Sequence, residues 1–545
     1  MTLKRETTSV KGESPLNDEF GKFVEATLDE WKVPGFSLAV IDDDKILTAC
    51  LLLTYPIKSY GTATFPDTPA TAETLWYGAS TTKAFTAAVL AQLIDSKKYP
   101  ALENGWQTTI SSILREDFVL QDEWATNHLT LEDAACHRTG MPRHDQATSR
   151  YLPDESDQGN QDGAKDKKKR YATVKDVTRN LRNLPLSAEP RVKFQYCNAM
   201  YSVLSHVIET VTGKPLGHVM KELIFEPLGM SSTYFSLDDA RAAPEHLATG
   251  YYWDEDTGKF VKVDDMPVVE VGGGGAIISN VQDYAKWAKC MLRQEAPFSE
   301  DVHKELRTPR IVQEMPKNAK DVSMYGLGWD RTLYHGHVMY THGGGMHAFG
   351  SSVVWFPDDK FGIVAFGNTS LTSNAVADIV LYRLIDDRLG IAPDKRTDFG
   401  KDWRETMEKF IGEYNKAIDI VYPDRPDTPV PSPASIKDLA GTYYDPGYKT
   451  IELRVEPHPD KQGEPILAAD RMDSTWQIQM RLQHVSSTWW ILRAWQPGSP
   501  QLFREFAQVE FKLGVDGKPT ALVVDFYARL GGQHEGKVVF NRVGD

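Results

Sequence analysis

The sequence predicts a mixed α and β body followed by a small all-β domain. Three observations carry this. Helix and strand signals alternate from about residue 18 onward. A Pro-rich stretch, PDRPDTPVPSPAS (423–435), interrupts the chain. Beyond it, short runs of alternating apolar and polar residues recur between turn signals.

In chain order, residues 1–17 read as a flexible tail. Phe36 to Ile41 reads as a strand, with Asp42-Asp43-Asp44 as the turn after it. After Ser80, the residues Phe85, Ala88, Val89 and Ile94 recur at the spacing of a helix face. Residues 146–172 carry Asp154, Glu155 and Asp157, then Lys165, Lys167, Lys168, Lys169 and Arg170, with few large apolar groups. That is the pattern of an exposed, mobile insertion or of a basic patch for a partner. Asn198 to Thr212 reads as a helix closed by Gly213, and Pro215 opens another. Ser279-x-x-Gln282, after the run Gly272 to Gly275, has the form of a helix start, with Tyr284, Trp287 and Ala288 on the apolar face that follows. Ser351 to Phe356, Pro357-Asp358-Asp359 and Gly362 to Phe366 read as a β-hairpin. A helix near Trp403 to Ala417 leads into the linker, so 396–432 is expected to join two domains. Past it, Ile451, Leu453 and Val455 alternate with polar residues. Ile478, Met480 and Leu482 do the same, as do Val509, Phe511 and Leu513. With the turn at Asp516-Gly517, residues 433–545 read as a small barrel or sandwich.

A chain of 545 residues is long enough for about two to four domains. Its 61 basic and 76 acidic residues give a net charge of −15, which argues against a nucleic-acid partner because phosphate contacts need a basic surface. With 41% hydrophobic and 25% charged residues, global disorder is excluded. The longest apolar candidate, Ile46 to Ile57, is too short and too interrupted to span a membrane. The N-terminus has no apolar signal core, so a cytoplasmic protein with no membrane partner is expected. Cys50, Cys136, Cys197 and Cys290 lie far apart, which suggests neither a zinc knuckle nor a disulfide scaffold.

Three short patterns carry chemistry. Ser80-Thr81-Thr82-Lys83 sits at the opening of a helix, where residues at i and i+3 share a face, so the lysine amine can take the proton of an otherwise weak nucleophile. A helix cap beside an exposed lysine is the alternative. Tyr196-Cys197-Asn198 places a phenol and an amide before a helix; packing and capping are the alternative there. His342-Gly343-Gly344-Gly345 lets backbone N–H groups approach a ligand. The same run occurs in α/β-hydrolases, but those need a G-x-S-x-G elbow downstream of it, and the chain has none. His335 and His337 would share a strand face, yet no carboxylate or Cys completes a metal set, so no metal and no cofactor are expected.

In that chain order, the three patterns resemble the motifs of the penicillin-recognising serine hydrolases. These are the class C β-lactamases, related penicillin-binding proteins, D-aminopeptidases and carboxylesterases of that fold. Leu75-Trp76-Tyr77-Gly78, His137-Arg138-Thr139-Gly140-Met141, Glu226-Pro227-Leu228-Gly229-Met230, Tyr325-Gly326-Leu327-Gly328-Trp329 and Val354-Trp355-Phe356-Pro357-Asp358 extend the resemblance over about residues 18–395. The tail, opening Leu439-Ala440-Gly441-Thr442-Tyr443-Tyr444, resembles a lipocalin-like barrel. The resemblance implies an α+β, β-lactamase/transpeptidase-like fold, with an antiparallel sheet flanked by helices beside a helical region. It implies Ser80 as acylated nucleophile, Lys83 as general base or its electrostatic partner, and Tyr196 as second acid–base group. Asn198, His342 and Gly344 would contact substrate, and the backbone N–H groups of Ser80 and Gly345 would form the oxyanion hole.

Two departures stand out. His342 replaces the lysine common at the third motif, which removes a cation for a substrate carboxylate and favours amides, short peptides or esters. Cys50 to Pro56 is an awkward insertion in the first hairpin. The functions implied are a serine hydrolase acting on a small-molecule or short-peptide substrate, an acyltransferase or peptide cyclase using the same acyl-serine, or a non-catalytic sensor of this fold. A homo-oligomer is compatible with each.

Overall fold

The computed structural model describes residues 14–42, 57–154, 168–458, 464–528 and 533–544. The tail up to residue 13, the turn at Asp43-Asp44, the insertion at 50–56 and residues 155–167 lie outside the described residues.

Nine strands form one antiparallel sheet: β1 (Gly35–Asp42), β2 (Ile57–Thr64), β3 (Thr68–Pro69), β4 (Ile311–Glu314), β5 (Ser323–Tyr325), β6 (Asp330–Tyr334), β7 (His337–Met346), β8 (Phe349–Phe356) and β9 (Phe361–Gly367). The order across it is β4-β5-β6-β7-β8-β9-β1-β2-β3, so the first strand of the sheet in chain order pairs with its last, from Phe36 against Gly367 to Asp42 against Phe361. Strands β1, β8 and β9 are buried on both faces, which is why they read as apolar runs. Alternate residues serve different layers. Leu38 and Val40 pack with α1 (Asp18–Trp31) and, further along the chain, the helix Thr372–Leu389. Ala39 and Ile41 face the opposite layer, which holds α2 (Thr82–Asp95), α3 (Asn198–Thr212) and α4 (Val281–Arg293). The helix Thr372–Leu389 is α5 and Phe399–Asn415 is α6.

Nearly every residue of α2 is buried, so its N-terminus is fixed inside the helical layer rather than laid on a surface. Helix α3 ends on Gly213, whose φ of +69° is the left-handed cap the sequence signalled. Helix α4 starts one residue later than the Ser279 signature implied. Asn280 is its cap, accepting from the Asp283 N–H at 2.9 Å, while Ser279 pairs with Trp76 in a two-stranded ribbon. His335 and His337 do not share a strand face either. His335 lies in the two-residue turn closing β6 and β7, and His337 Nδ1 lies 2.9 Å from an Asp359 carboxylate oxygen.

The C-terminal unit is a closed eight-stranded antiparallel barrel: β10 (Gly441–Asp445), β11 (Lys449–Pro457), β12 (Pro465–Arg471), β13 (Ile478–Ser486), β14 (Trp489–Trp495), β15 (Arg504–Leu513), β16 (Pro519–Ala528) and β17 (Gln533–Val543). Pairing of β10 with β17 removes its edges, so the unit is a barrel and not a sandwich. Ile451, Leu453, Met480, Leu482, Val509 and Phe511 are all buried, as their alternation requires.

The barrel is docked onto the N-terminal unit. The described ends of the segment read as a mobile insertion form a small ribbon, Tyr151–Pro153 against Lys169–Tyr171. The chain leading into it is stitched to the β12–β13 loop: Arg150 N–H donates to Asp473 O at 2.8 Å and Thr475 N–H to Thr148 O at 3.0 Å. The segment ahead of the Pro-rich linker is also packed, since Ala417 joins Val485, Ile491 and Phe506 in a cluster on the barrel.

Candidate active site

Ser80 sits in a 3-10 turn, Ala79–Thr81, that runs directly into α2. Ala79 adopts φ +46°, a left-handed conformation that an L-residue adopts at a cost of about 1 kcal/mol or more. The turn is pinned on both sides, by Gly78 N–H to Ile277 O at 2.7 Å and by Ser351 Oγ to Gly78 O at 2.7 Å. Ser80 is partly exposed, whereas Lys83 is wholly buried.

Lys83 Nζ has three oxygen neighbours: Ser80 Oγ at 3.1 Å, Asn198 Oδ1 at 2.9 Å and Gly274 O at 2.9 Å. The orientation of the Asn198 amide is fixed by its other end, because Nδ2 donates to Asp145 Oδ1 at 3.1 Å and a carboxylate can only accept. Asn198 Oδ1 and Gly274 O can only accept, so each takes an N–H of Nζ, and the remaining position on Nζ is directed at Ser80 Oγ. Burial holds Lys83 well below the ordinary lysine value, and the Arg143 charge adds to this while Asp145 opposes it. Glycines at 272–275 admit this approach: a Cβ on Gly273 would lie 2.1 Å from Ser205 Oγ.

Tyr196 closes the other side. Lys83 Nζ lies 4.7 Å from its ring centroid, and the Arg143 guanidinium lies 5.0 Å from it. Burial raises its phenol, with a hydrogen-bonding interaction with Ser80 in opposition, so it stays protonated at neutral pH. The His137 ring packs against Tyr196, tilted, with centroids 4.3 Å apart, and its Nδ1 accepts the Cys197 N–H at 3.1 Å, which leaves the proton on Nε2 and fixes the turn that presents Tyr196.

Strand β7 supplies the third wall. A Cβ on Gly344 would lie 2.5 Å from Gly78 O and 3.1 Å from Ala79 Cβ, so the strand runs directly against the turn that carries Ser80. Gly345, next along, is exposed. Partner strand β6 pairs with β7 only as far as Thr341, so residues 342–346 pair on one side, with β8.

Ser80, Lys83, Tyr196, Asn198 and Gly344 thus converge, and Gly345 follows Gly344 on the strand. One of the expected substrate contacts, His342, differs from expectation. His342 is 3% exposed, its Nε2 lies 3.0 Å from the Tyr325 hydroxyl, and its Nδ1 lies 2.7 Å from Gly343 O, so neither nitrogen is open to a ligand. Burial, with Lys83 adding, depresses it to about 3, and it is neutral. Asn198 accepts from Lys83 through Oδ1 and donates one N–H of Nδ2 to Asp145. The residues that sequence reasoning missed are Arg143 and Asp145, paired at 2.7 Å, and Gly274. Among the described residues, no group of three or more His, Cys, Asp or Glu is arranged to hold a metal, and no helix is long and apolar enough to cross a membrane.

Comparison with known proteins agrees with this architecture. The chain is 37% identical over 535 residues to the unguisins hydrolase of Aspergillus campestris, spanning 97% of this chain and 93% of that protein. It is 34% identical over 541 residues to the unguisins hydrolase of Aspergillus violaceofuscus, spanning 95% and 89%. Among solved structures it is similar to the octameric penicillin-binding protein homologue from Pyrococcus abyssi, with a TM-score of 0.57 at 19% identity over 96% of this chain and 99% of that one. The D-amino acid amidase from Ochrobactrum anthropi SV3 follows at 0.52 and 18% identity, over 68% and 99%. These two show the fold alone. The sequence model of the Beta-lactamase family matches residues 20–386, which takes in Ser80, Lys83, Tyr196 and β7, and the chain belongs to that family.

Proposed function

We propose that this chain is a serine hydrolase that opens an amide or peptide bond through an acyl-enzyme on Ser80. The partition of hydrogen bonds around Lys83 supports the reading: with two N–H groups given to Asn198 Oδ1 and Gly274 O, the amine in its neutral form turns its lone pair to Ser80 Oγ. Lys83 takes the hydroxyl proton as Oγ bonds to the carbonyl carbon. The oxyanion forms between the backbone N–H groups of Ser80 and Gly345. Such a donor stabilises the transition state by about 3–4 kcal/mol. The C–N bond then breaks as Tyr196 passes its proton to the leaving amine, and the proton held by Lys83 passes to Tyr196, so that both groups are reset for the second half. Water repeats the sequence on the ester, and Ser80 leaves with a proton. Asn198 and Asp145 position Lys83, and His342 supports β7 through Tyr325.

A neutral, covered imidazole at the third motif gives a substrate carboxylate no anchor there, which favours amides over β-lactams. The two Aspergillus proteins similar over nearly the whole chain are named for hydrolysis of unguisins, so we place unguisins first among candidate substrates. The test is incubation with unguisins, D-amino-acid nitroanilides, nitrophenyl esters and nitrocefin, read by mass spectrometry. Amide cleavage that adds one water and is abolished in Ser80→Ala supports the proposal. Turnover that survives Ser80→Ala overturns it.

A further inference from the structure

The loop 143–147 has the active site on one side and the barrel on the other. Toward the site, Asp145 Oδ1 accepts from Asn198 Nδ2 at 3.1 Å, and Asn198 Oδ1 in turn accepts from Lys83. The Arg143 guanidinium lies 5.0 Å from the centre of the Tyr196 ring. Between these two residues, His144 is buried and adopts φ +45°, a left-handed conformation that a non-glycine residue keeps only where its surroundings enforce it.

The barrel supplies the enforcement. The turn joining β10 to β11 places the Tyr448 hydroxyl 2.7 Å from His144 Nδ1. Arg471, at the end of β12, donates from Nη1 to Gln146 O at 2.7 Å and from Nη2 to Tyr448 O. Asn180 ties loop and turn together, its Nδ2 donating to Ala147 O at 3.2 Å and to Gly447 O at 2.9 Å. Tyr448 is itself fixed inside the barrel. Its ring stacks on Phe526 with centroids 4.9 Å apart, and its hydroxyl lies 3.1 Å from Oε2 of the buried Glu535 on β17.

Counting protons shows how this chain is held. His144 Nε2 lies 2.9 Å from Pro185 O, which can only accept, so Nε2 carries a proton. Tyr448 has one proton for two neighbours. Both of its contacts are hydrogen bonds only where the chain holds a second proton. That proton sits either on Glu535, which then donates to Tyr448 as Tyr448 donates to His144, or on His144 Nδ1, with both bonds reversed. Burial depresses His144 to about 4, against Pro185 O and Asp145. Burial raises Glu535 to about 8, with Asp145 and Glu505 of β15 adding and the Tyr448 hydroxyl and Arg143 opposing. At neutral pH the second proton is therefore on Glu535.

We propose that Tyr448 is a positioning residue for the acylation of Ser80: it holds the 143–147 loop from the barrel by donating to His144, and Glu535 leaves it free to do so for as long as Glu535 keeps its own proton. Tyr448 acts through Asp145 and Asn198 on Lys83, not on the reacting atoms. The proposal rests on Ser80 being the nucleophile.

The experiment follows fluorophosphonate labelling of Ser80 and nitrophenyl ester hydrolysis against pH in the full chain, with thermal melts alongside. Tyr448→Phe keeps the stacked ring and removes both hydrogen bonds. Its labelling rate and kcat should fall about tenfold to a hundredfold, with KM little changed, as for a misplaced catalytic group. The wild-type rates should also fall as pH rises through about 8, where an ionised Glu535 claims the Tyr448 proton. Glu535→Gln is the second variant. Its amide donates to Tyr448 at every pH, so the neutral-pH rates should be kept and the fall near 8 abolished. Tyr448→Phe that labels within about threefold of wild type, a wild-type rate that does not fall near 8, or a Glu535→Gln rate that falls as wild type does would each overturn the proposal and leave the nucleophile standing. A lowered melting temperature in Glu535→Gln with the fall unmoved would show a structural role alone and overturn it too. A wild-type chain that takes no label would instead remove the nucleophile, and this proposal with it.

Discussion

Substituting Gly344 by alanine tests how closely β7 and the nucleophile turn must approach. The added Cβ would meet Ser351 Oγ at 2.2 Å, Gly78 O at 2.5 Å and Ala79 Cβ at 3.1 Å. The serine hydroxyl can rotate away at the loss of its bond to Gly78 O, but the carbonyl is backbone and cannot. Ordinary contact begins at 3.4 Å, so strand and turn must separate by about 0.9 Å. A hydrogen bond of about 2.9 Å stretched by that amount is no longer one. The strand's oxyanion donor would be lost, costing about 10²–10³ in kcat, or roughly 2.7–4 kcal/mol. The fold should survive, because overpacking of this size costs about 1–3 kcal/mol. Gly343→Ala is the control, since a Cβ there meets only Ser351 O at 4.0 Å. Ester hydrolysis and thermal melts of the two variants decide the matter. A folded Gly344→Ala that keeps more than about a tenth of wild-type kcat, or a Gly343→Ala equally impaired, would refute the reasoning.

Four further outcomes follow from the site. The ascending limb of the pH–rate profile should report Lys83 and lie well below the ordinary lysine range. Arg143→Gln should move it to higher pH and Asp145→Asn to lower pH, because the first charge depresses Lys83 and the second raises it; shifts in the same direction would contradict this. The unfolded chain binds the lysine proton over a pH range where the folded chain does not. Stability linked to Lys83 is therefore complete above about 10.4 and falls as pH drops toward the depressed folded value, a dependence that urea titrations should find missing in Lys83→Met. Tyr196→Phe should lower amide hydrolysis by about 10²–10⁴ with little change in melting temperature, and a change under threefold would remove Tyr196 from proton transfer. His342→Lys should destabilise by about 3–5 kcal/mol, since it buries a cation beside Lys83, without gaining nitrocefin turnover. An unchanged melting temperature together with new β-lactamase activity would show that position 342 faces substrate.

Much of the architecture was legible because burial leaves a periodic trace. Leu38 and Val40 against Ala39 and Ile41 mark a strand buried on both faces, and Gly213 and Asp516-Gly517 mark backbone that must turn. The three motif patterns were legible because each is local. What escaped is held through space. Asp145 joins Arg143 to Asn198 from a loop without periodicity, and Gly274 reaches Lys83 across 191 positions. The cap of α4 fell to Asn280 because Ser279 is committed to pairing with Trp76, a tertiary demand that overrides a local signature. His342 could be read as a substrate contact only while its partner, Tyr325, was unknown. The ends of the charged segment 146–172 looked unanchored because their hydrogen-bond partners, Asp473 and Thr475, lie more than 300 residues later.

The central claim is that Ser80 is an activated nucleophile, and intact mass after incubation with a fluorophosphonate tests it most directly. The account predicts one adduct per chain, mapped to the peptide carrying Ser80, absent in Ser80→Ala and greatly slowed in Lys83→Met. A folded wild-type protein that takes up no adduct, or one whose adduct persists in Ser80→Ala, would contradict it.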